Sequence, residues 1–224
     1  MITIIKYKNN DLITQKISEL CIRRIIWGGD QTVNKIKQIK SNPKCIDIVF
    51  PDRFSVSIIN SNELSNLNKY QFKNLIKNFY NDTYLVDQNA CSSPHIIFWL
   101  GNNNQIKKVF WQSLSQLALD LYNNQDFIQL DRYSNLISDL ISSNNIKSHQ
   151  VYNNITYVIN LKKITKNMSD FRGKWGYFYQ MNINSIELIT NFINQKFQTI
   201  TYFGISKQMI KNFVSNNTLI GIDR

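Results

Sequence analysis

Short β-branched runs alternate with segments of helical period through residues 2–50, and that alternation constrains the fold more than any other feature of the chain. Ile2, Thr3, Ile4, Ile5, Lys6 and Tyr7 read as a strand. Asp11 is placed to cap a helix reaching Leu20, with Leu12, Ile13, Ile17 and Leu20 on one side. Residues 21–27 read as a second strand. Asp30 follows two glycines and is placed to cap a second helix carrying Val33, Ile36 and Ile39, which ends near Pro43. Residues 45–50 read as a third strand. Strand, helix, strand, helix, strand at this spacing predicts parallel strands joined by right-handed crossovers, like one half of a nucleotide-binding sheet.

After Pro51 the pattern changes. Strands are expected over 54–59, 95–100, 156–160, 176–182, 198–203 and 219–222. Helices are expected over 68–80, 105–122, 131–141, 185–195 and 206–214, with Phe72, Leu75, Ile76 and Phe79 on the buried side of the first. Asparagine pairs and triplets between them mark turns. The fold class is α/β, with a boundary between Pro51 and Ser61; the expected division is 1–58 for a partial dinucleotide-binding domain and 59–224 for a second α/β domain. The chain opens on a strand and stops just after one. The expectation is that part of the fold is missing or supplied by another chain, because an open sheet edge needs a cover.

Composition narrows the classes. Of 224 residues 43% are hydrophobic and 18% charged, which excludes a wholly disordered chain. No apolar run approaches the roughly 20 residues of a membrane span, and a cytoplasmic protein without a membrane span is expected. The three cysteines, Cys21, Cys45 and Cys91, do not sit at metal-ligand spacing, and His95 and His149 are the only histidines. No metal site is expected. The net charge of +11 is spread along the chain rather than gathered in one tract. That argues for a basic, solvated surface rather than a nucleic-acid groove, and a basic surface also suits phosphate-bearing ligands.

The most informative stretch runs from Asp87 through Cys91 to Gly101. Cys91 falls in a polar turn of small residues between a helix and a buried strand. A nucleophilic thiol needs partial exposure and a positive local field, and backbone N–H groups in such a turn can supply the field and help hold an oxyanion. A small buried residue filling a helix–strand corner fits the same residues. His95 lies four residues away on an apolar strand, about 13 Å if extended, and is expected to be a core or interface histidine. Phe98, Trp99 and Trp111 are expected in the core, Arg53 on the surface.

This segment resembles the catalytic-cysteine motif of the LuxC-type long-chain fatty-acyl reductases, a branch of the aldehyde dehydrogenase superfamily. Trp27, Gly28, Gly29 and Asp30 resemble the family's tryptophan–glycine–glycine turn beside the dinucleotide. Residues 50–59 are similar to the segment crossing between the two domains, and 171–179, 197–200 and 221–224 resemble later family segments.

The resemblance implies an aldehyde-dehydrogenase-like fold, with part of a Rossmann-type cofactor domain followed by an α/β catalytic domain. It implies Cys91 as the residue that takes up the acyl group from a fatty-acyl thioester or acyl-protein ester, NADPH as hydride donor, Gly28 and Gly29 as cofactor-binding positions, and a fatty aldehyde as product. An acyl-protein synthetase, a complementary chain or a second copy are the partners it implies. Related dehydrogenases carry a glutamate base in the crossing segment; Val49, Phe50, Pro51 and Asp52 contain none, which favours reduction over aldehyde oxidation. The alternative is an inactive remnant that keeps the fold and docks a synthetase or a full-length paralogue.

Overall fold

The computed structural model describes residues 3–217 together with Leu219 and Ile222. The chain forms two compact units, Met1–Asp52 and Arg53–Arg224. The division precedes the strand over 54–60, an inner strand of the second unit's sheet.

The first unit begins with helix α1 (Asp11–Leu20), capped by Asn10, whose side chain accepts from the Leu12 and Ile13 amides. Strand β1 (Arg23–Gly28), helix α2 (Asp30–Gln38) and strand β2 (Ile46–Pro51) follow. The two strands pair in parallel from Arg23↔Ile46 to Gly28↔Pro51. Their alternation splits them cleanly. Arg24 and Ile26 are buried, with Val33 of α2. Arg24 grips its register partner Asp47 through two 2.7 Å hydrogen bonds and donates a third, at 3.1 Å, to the Ile39 carbonyl. The other face is bare: Ile25, Trp27, Ile46, Ile48 and Phe50 are all exposed, and the Trp27 and Phe50 rings lie 5.6 Å apart.

Two expectations fail in this unit. Residues 3–7 form no strand, and Ile4 and Ile5 stand in solvent. A β-branched run becomes a strand only where a neighbour offers an edge and a face to pack on. Asp11 and Asp30 are first-turn residues rather than caps; Asn10 and Gly29 hold the cap positions.

The second unit holds strand β3 (Phe54–Asn60), helices α3 (Ser61–Ser65) and α4 (Lys69–Thr83), strand β4 (Pro94–Leu100), helices α5 (Asn104–Leu121) and α6 (Asp126–Ser142), strands β5 (Ile146–Tyr152), β6 (Thr156–Leu161), β7 (Tyr177–Ile183) and β8 (Phe197–Phe203), and helix α7 (Lys207–Asn216). The sheet order is β5-β6-β7-β4-β3-β8. All pairs are parallel except β5 with β6. The central strands β3 and β4 are buried on both faces, as parallel strands with helices above and below must be. Val56, Ile58, Ile96 and Phe98 feed one core; Ile59, Ile97 and Trp99 feed the other, against Phe79 of α4 and Phe110 and Trp111 of α5.

A polar hub crosses the second core. Gln180 on β7 accepts from the Trp99 indole at 2.6 Å and the Trp111 indole at 2.8 Å, and donates to Asn160 at 2.7 Å. Phe98, Trp99 and Trp111 are core residues, as expected.

The α/β class stands, with differences in detail. The helix expected over 185–195 is a short 3-10 segment, Ile186–Asn191. Its buried residues, Ile186 and Ile189, followed by Phe192, recur every third position, the period of a 3-10 helix. Strand β5 had no signal in the sequence, because its residues are exposed apart from Ile146 and Tyr152 and are held by main-chain pairing at a sheet edge. The strand expected over 219–222 includes positions outside the described residues. Among the described residues no helix is long and apolar enough to cross a membrane.

Candidate active site

Cys91 lies in the loop between the C-terminus of α4 and the start of β4. After α4 a 3-10 turn, Tyr84–Val86, leads to Asp87 and Gln88, both left-handed at φ 55° and 57°. Two successive left-handed residues without glycine are costly unless the surroundings hold them, and here they do. Gln88 is fully buried. Its amide nitrogen donates to the carbonyls of Pro94 (3.2 Å) and Tyr177 (3.1 Å), its oxygen accepts from the Gly176 amide (3.1 Å), and its own backbone N–H donates to Thr83 (2.7 Å).

Three more tethers fix the loop. Ser55 on β3 donates its hydroxyl to the Cys91 carbonyl at 2.5 Å. Ser93 donates to the Asp82 carbonyl at 2.6 Å. Tyr122 donates to the Asp87 carboxylate at 2.6 Å. The Ser93 amide closes on the Ala90 carbonyl at 2.9 Å, so Cys91 sits at the corner of a tight turn. Its side chain is half-buried and forms no disulfide. Burial pushes the Asp82 carboxyl up and holds the Tyr84 hydroxyl well above the ordinary phenol range.

The segment over 171–179 forms the wall behind this loop. The Trp175 amide donates to the Asp87 carbonyl at 3.1 Å, and His95 Nδ1 lies 3.0 Å from the Gly173 carbonyl. Gly176 has φ +88°, and a Cβ there would sit 2.2 Å from the Tyr84 hydroxyl. Only glycine fits. Arg132 on α6 is fully buried and clamps the same wall, donating to the carbonyls of Trp175 (2.8 Å) and Asn154 (2.9 Å) and to the Asn124 side chain. Desolvation lowers the Arg132 pKa from its ordinary value. A cavity of about 340 Å³ opens beside the loop, lined among others by Leu85, Asp87, Tyr122, Phe127 and Trp175.

His95 is buried and stacks on Phe54 with ring centroids 5.2 Å apart, in the core position expected of it. Arg53 is half-buried. Sequence reasoning missed Gln88, Ser55, Tyr122 and Arg132. A polar side chain that is buried because its partners are far away in sequence leaves no periodic trace. Residues 171–179 stood out in the sequence only as a family resemblance, and their fit against the loop left no sequence signal.

Gly28 and Gly29 lie in the first unit, at the carboxyl end of β1 where it turns into α2. In parallel α/β sheets that end is where ligands bind. Gly29 holds the cap position of α2 with no side-chain hydrogen bond, and a Cβ on it would meet nothing within 4 Å. A Cβ on Gly28 would come within 3.1 Å of Thr32. The space a Cβ would take over Gly29, at the α2 N-terminus, is therefore open. Among the described residues no three His, Cys, Asp or Glu side chains gather as a metal ion would require.

The model of the family described as acyl-CoA reductase (LuxC) matches residues 2–204. No curated protein matches. The structure is similar to an NAD-dependent benzaldehyde dehydrogenase from Corynebacterium glutamicum (TM-score 0.59, 7% identity, 95% of this chain and 47% of that one). It is similar to AldH from Staphylococcus aureus (0.59, 14%, 93% and 47%) and to an NAD-dependent aldehyde dehydrogenase from Sinorhizobium meliloti (0.60, 9%, 91% and 43%). These likenesses bear out the aldehyde-dehydrogenase-like fold, and the chain spans less than half the length of each of those proteins.

Proposed function

Since the chain belongs to the LuxC family of acyl-CoA reductases, we propose that it carries the acyl-accepting part of an oxidoreductase that converts a fatty-acyl thioester, or an acyl-protein ester, to a fatty aldehyde. The observation that carries this reading is the Cys91 turn: a half-buried free thiol at the corner of a loop held by Gln88, Ser55 and Ser93. Cys91 is the acyl acceptor. Its sulfur attacks the thioester carbonyl carbon, the bond from that carbon to the leaving sulfur breaks, and the departing thiolate takes up the proton the Cys91 thiol gave up. The product is an acyl-Cys91 thioester plus a free thiol. The rigid loop keeps the nucleophile from swinging away between arrivals of substrate, which is the positional part of catalysis.

On this reading Met1–Asp52 is the cofactor side and Arg53–Arg224 the acyl side. Gly28 and Gly29 are the residues of this chain that would hold the phosphates of NADPH, which supplies the hydride when bound. The basic balance of +11 favours such phosphate-bearing ligands, coenzyme A included. An acyl-protein synthetase is the proposed source of acyl groups, and the cytoplasm the proposed setting, where free thiols stay reduced.

The test is acyl transfer. Radiolabelled long-chain acyl-CoA should leave label on the native chain after denaturation and none on Cys91→Ala. Label retained on the alanine variant would remove Cys91 as the acceptor.

A further inference from the structure

Ser55 lies where the sheet of the second unit departs from regular pairing, and it does so on both sides of the strand. Against β4, Ser55 pairs with Pro94 but Val56 pairs with Ile96, so the pairing passes over His95. Against β8, Phe54 pairs with Phe197 but Ser55 pairs with Thr199, so the pairing passes over Gln198. Each neighbour of β3 thus carries one extra residue at the level of Ser55. Bulges are uncommon in parallel pairs and recur next to active sites, where they re-aim a side chain. The irregularity has a cost: the Gln198 side-chain oxygen and the Thr199 hydroxyl are buried with no hydrogen-bond partner among the described residues. The side chain it places is the fully buried Ser55 hydroxyl, 2.5 Å from the Cys91 carbonyl.

That carbonyl belongs to the central peptide of the turn from Ala90 to Ser93. The turn's own hydrogen bond joins the Ser93 amide to the Ala90 carbonyl and leaves the Cys91–Ser92 peptide free to rock about its ends. The carbonyl and N–H of a trans peptide point opposite ways. Ser55 holds the Cys91 carbonyl toward β3, so the Ser92 N–H faces away from that strand. Ser92 is exposed, and its amide has no acceptor among the described residues. An open amide of fixed direction, next in sequence to a nucleophile, suits an acyl oxygen that is gaining charge.

We propose that Ser55 is a positioning residue for the acylation of Cys91. Its hydroxyl sets the plane of the Cys91–Ser92 peptide, so that the Ser92 N–H donates to the thioester oxygen as that oxygen becomes an oxyanion. The sulfur–carbon bond forms while the carbonyl electron pair moves onto oxygen. When the pair returns, the bond to the leaving thiolate breaks and the carbonyl is restored. Without Ser55 the Cys91 carbonyl faces β3 with no donor, and its rotation toward water turns the Ser92 N–H inward. The inference rests on Cys91 as the acyl acceptor and adds the residue that aims its turn.

The experiment compares two reactions of one sulfur in the full 224-residue chain. Acylation by a long-chain acyl-CoA passes through an oxyanion; alkylation by iodoacetamide, a displacement at saturated carbon, does not. Ser55→Ala should slow single-turnover acylation about 10- to 100-fold. The acyl-CoA concentration giving half the maximal rate should stay within about twofold, and alkylation within about threefold. Ser57→Ala, two residues on in β3 and also buried, should leave both rates within about twofold. Replacing Ser92 by its α-hydroxy acid turns the N–H into an ester oxygen with no change of side chain. It should cost acylation about 10²-fold or more, and it carries the test if circular dichroism shows the alanine variant unfolded. Equal slowing of acylation and alkylation in Ser55→Ala would make Ser55 a support of the loop alone and overturn the inference. Undiminished acylation of the ester variant would do the same. A native chain that takes no acyl label overturns the reductase reading as well, whereas a labelled native chain with a folded, unaffected alanine variant overturns this inference only.

Discussion

The two sheets of this protein are built from similar strands and end in opposite conditions. In β3 and β4 every residue but the last is buried, and side chains alternate between two cores. In β1 and β2 the same alternation delivers one set to the α2 side and leaves the other in solvent. Strand hydrophobicity therefore records that a face is meant to be covered; which helices pack on it decides whether it is buried. The second unit has α4 and α5 on one side of its sheet. The first has a bare face.

The contrast breaks most readily at tryptophan. Trp99→Ala empties a fully buried site and should cost about 3–5 kcal/mol in urea unfolding. Trp27→Ala removes an indole that is mostly in water and should change stability by no more than about 0.5 kcal/mol. Equal losses would mean the first sheet's face is covered in solution. Next in size, Arg132→Met leaves the Trp175 and Asn154 carbonyls without their donor. A loss of about 2–3 kcal/mol is expected, with faster alkylation of Cys91 by iodoacetamide as the wall behind its loop loosens.

Acid should act on the two units with opposite sign. The hydrogen bonds from Arg24 hold the Asp47 carboxyl below its usual range. A depressed folded value gives stability that is present above the unfolded pKa, near 3.8, and lost as pH falls through the folded one. Asp82 is raised by burial, so its penalty is absent below the unfolded pKa and grows as pH rises through the folded value. Amide exchange protection should drop in β1 and β2 as pH falls below about 4 but not in β3, and Asp47→Asn should flatten the first response. Gly29→Ala is also expected to have little effect on stability: its backbone lies in the β region and the Cβ space is open, so stability should change by less than about 1 kcal/mol. A nicotinamide nucleotide that the chain binds should lose affinity measurably by calorimetry.

Much of this architecture was legible beforehand. Apolar periodicity located α4, α5 and the central strands because each buries a face against its neighbours; it also predicted α1 where that helix forms, although its Leu12, Ile13 and Leu20 are exposed. It failed for residues 3–7, where β-branched character found no sheet partner, and for β5, whose pairing is main-chain and whose side chains say nothing. It misread 186–191, where a period of three lies too near 3.6 to separate by eye. In the Cys91 loop the thiol was conspicuous as a small residue among polar ones. Gln88, three positions earlier, was not, because its partners Tyr177 and Gly176 lie far along the chain.

The Gln180 amide has a further consequence. A carbonyl oxygen has two lone pairs, and both are taken by indoles; its nitrogen is bound to Asn160 on the neighbouring strand. Sliding β7 by one residue would turn that amide to the opposite side of the sheet and strand two indole N–H groups in hydrocarbon. Three bonds thus act as a ratchet pawl on the sheet, setting the height of β4 beside β7 and with it the level at which the chain leaves Pro94 and exposes a sulfur atom.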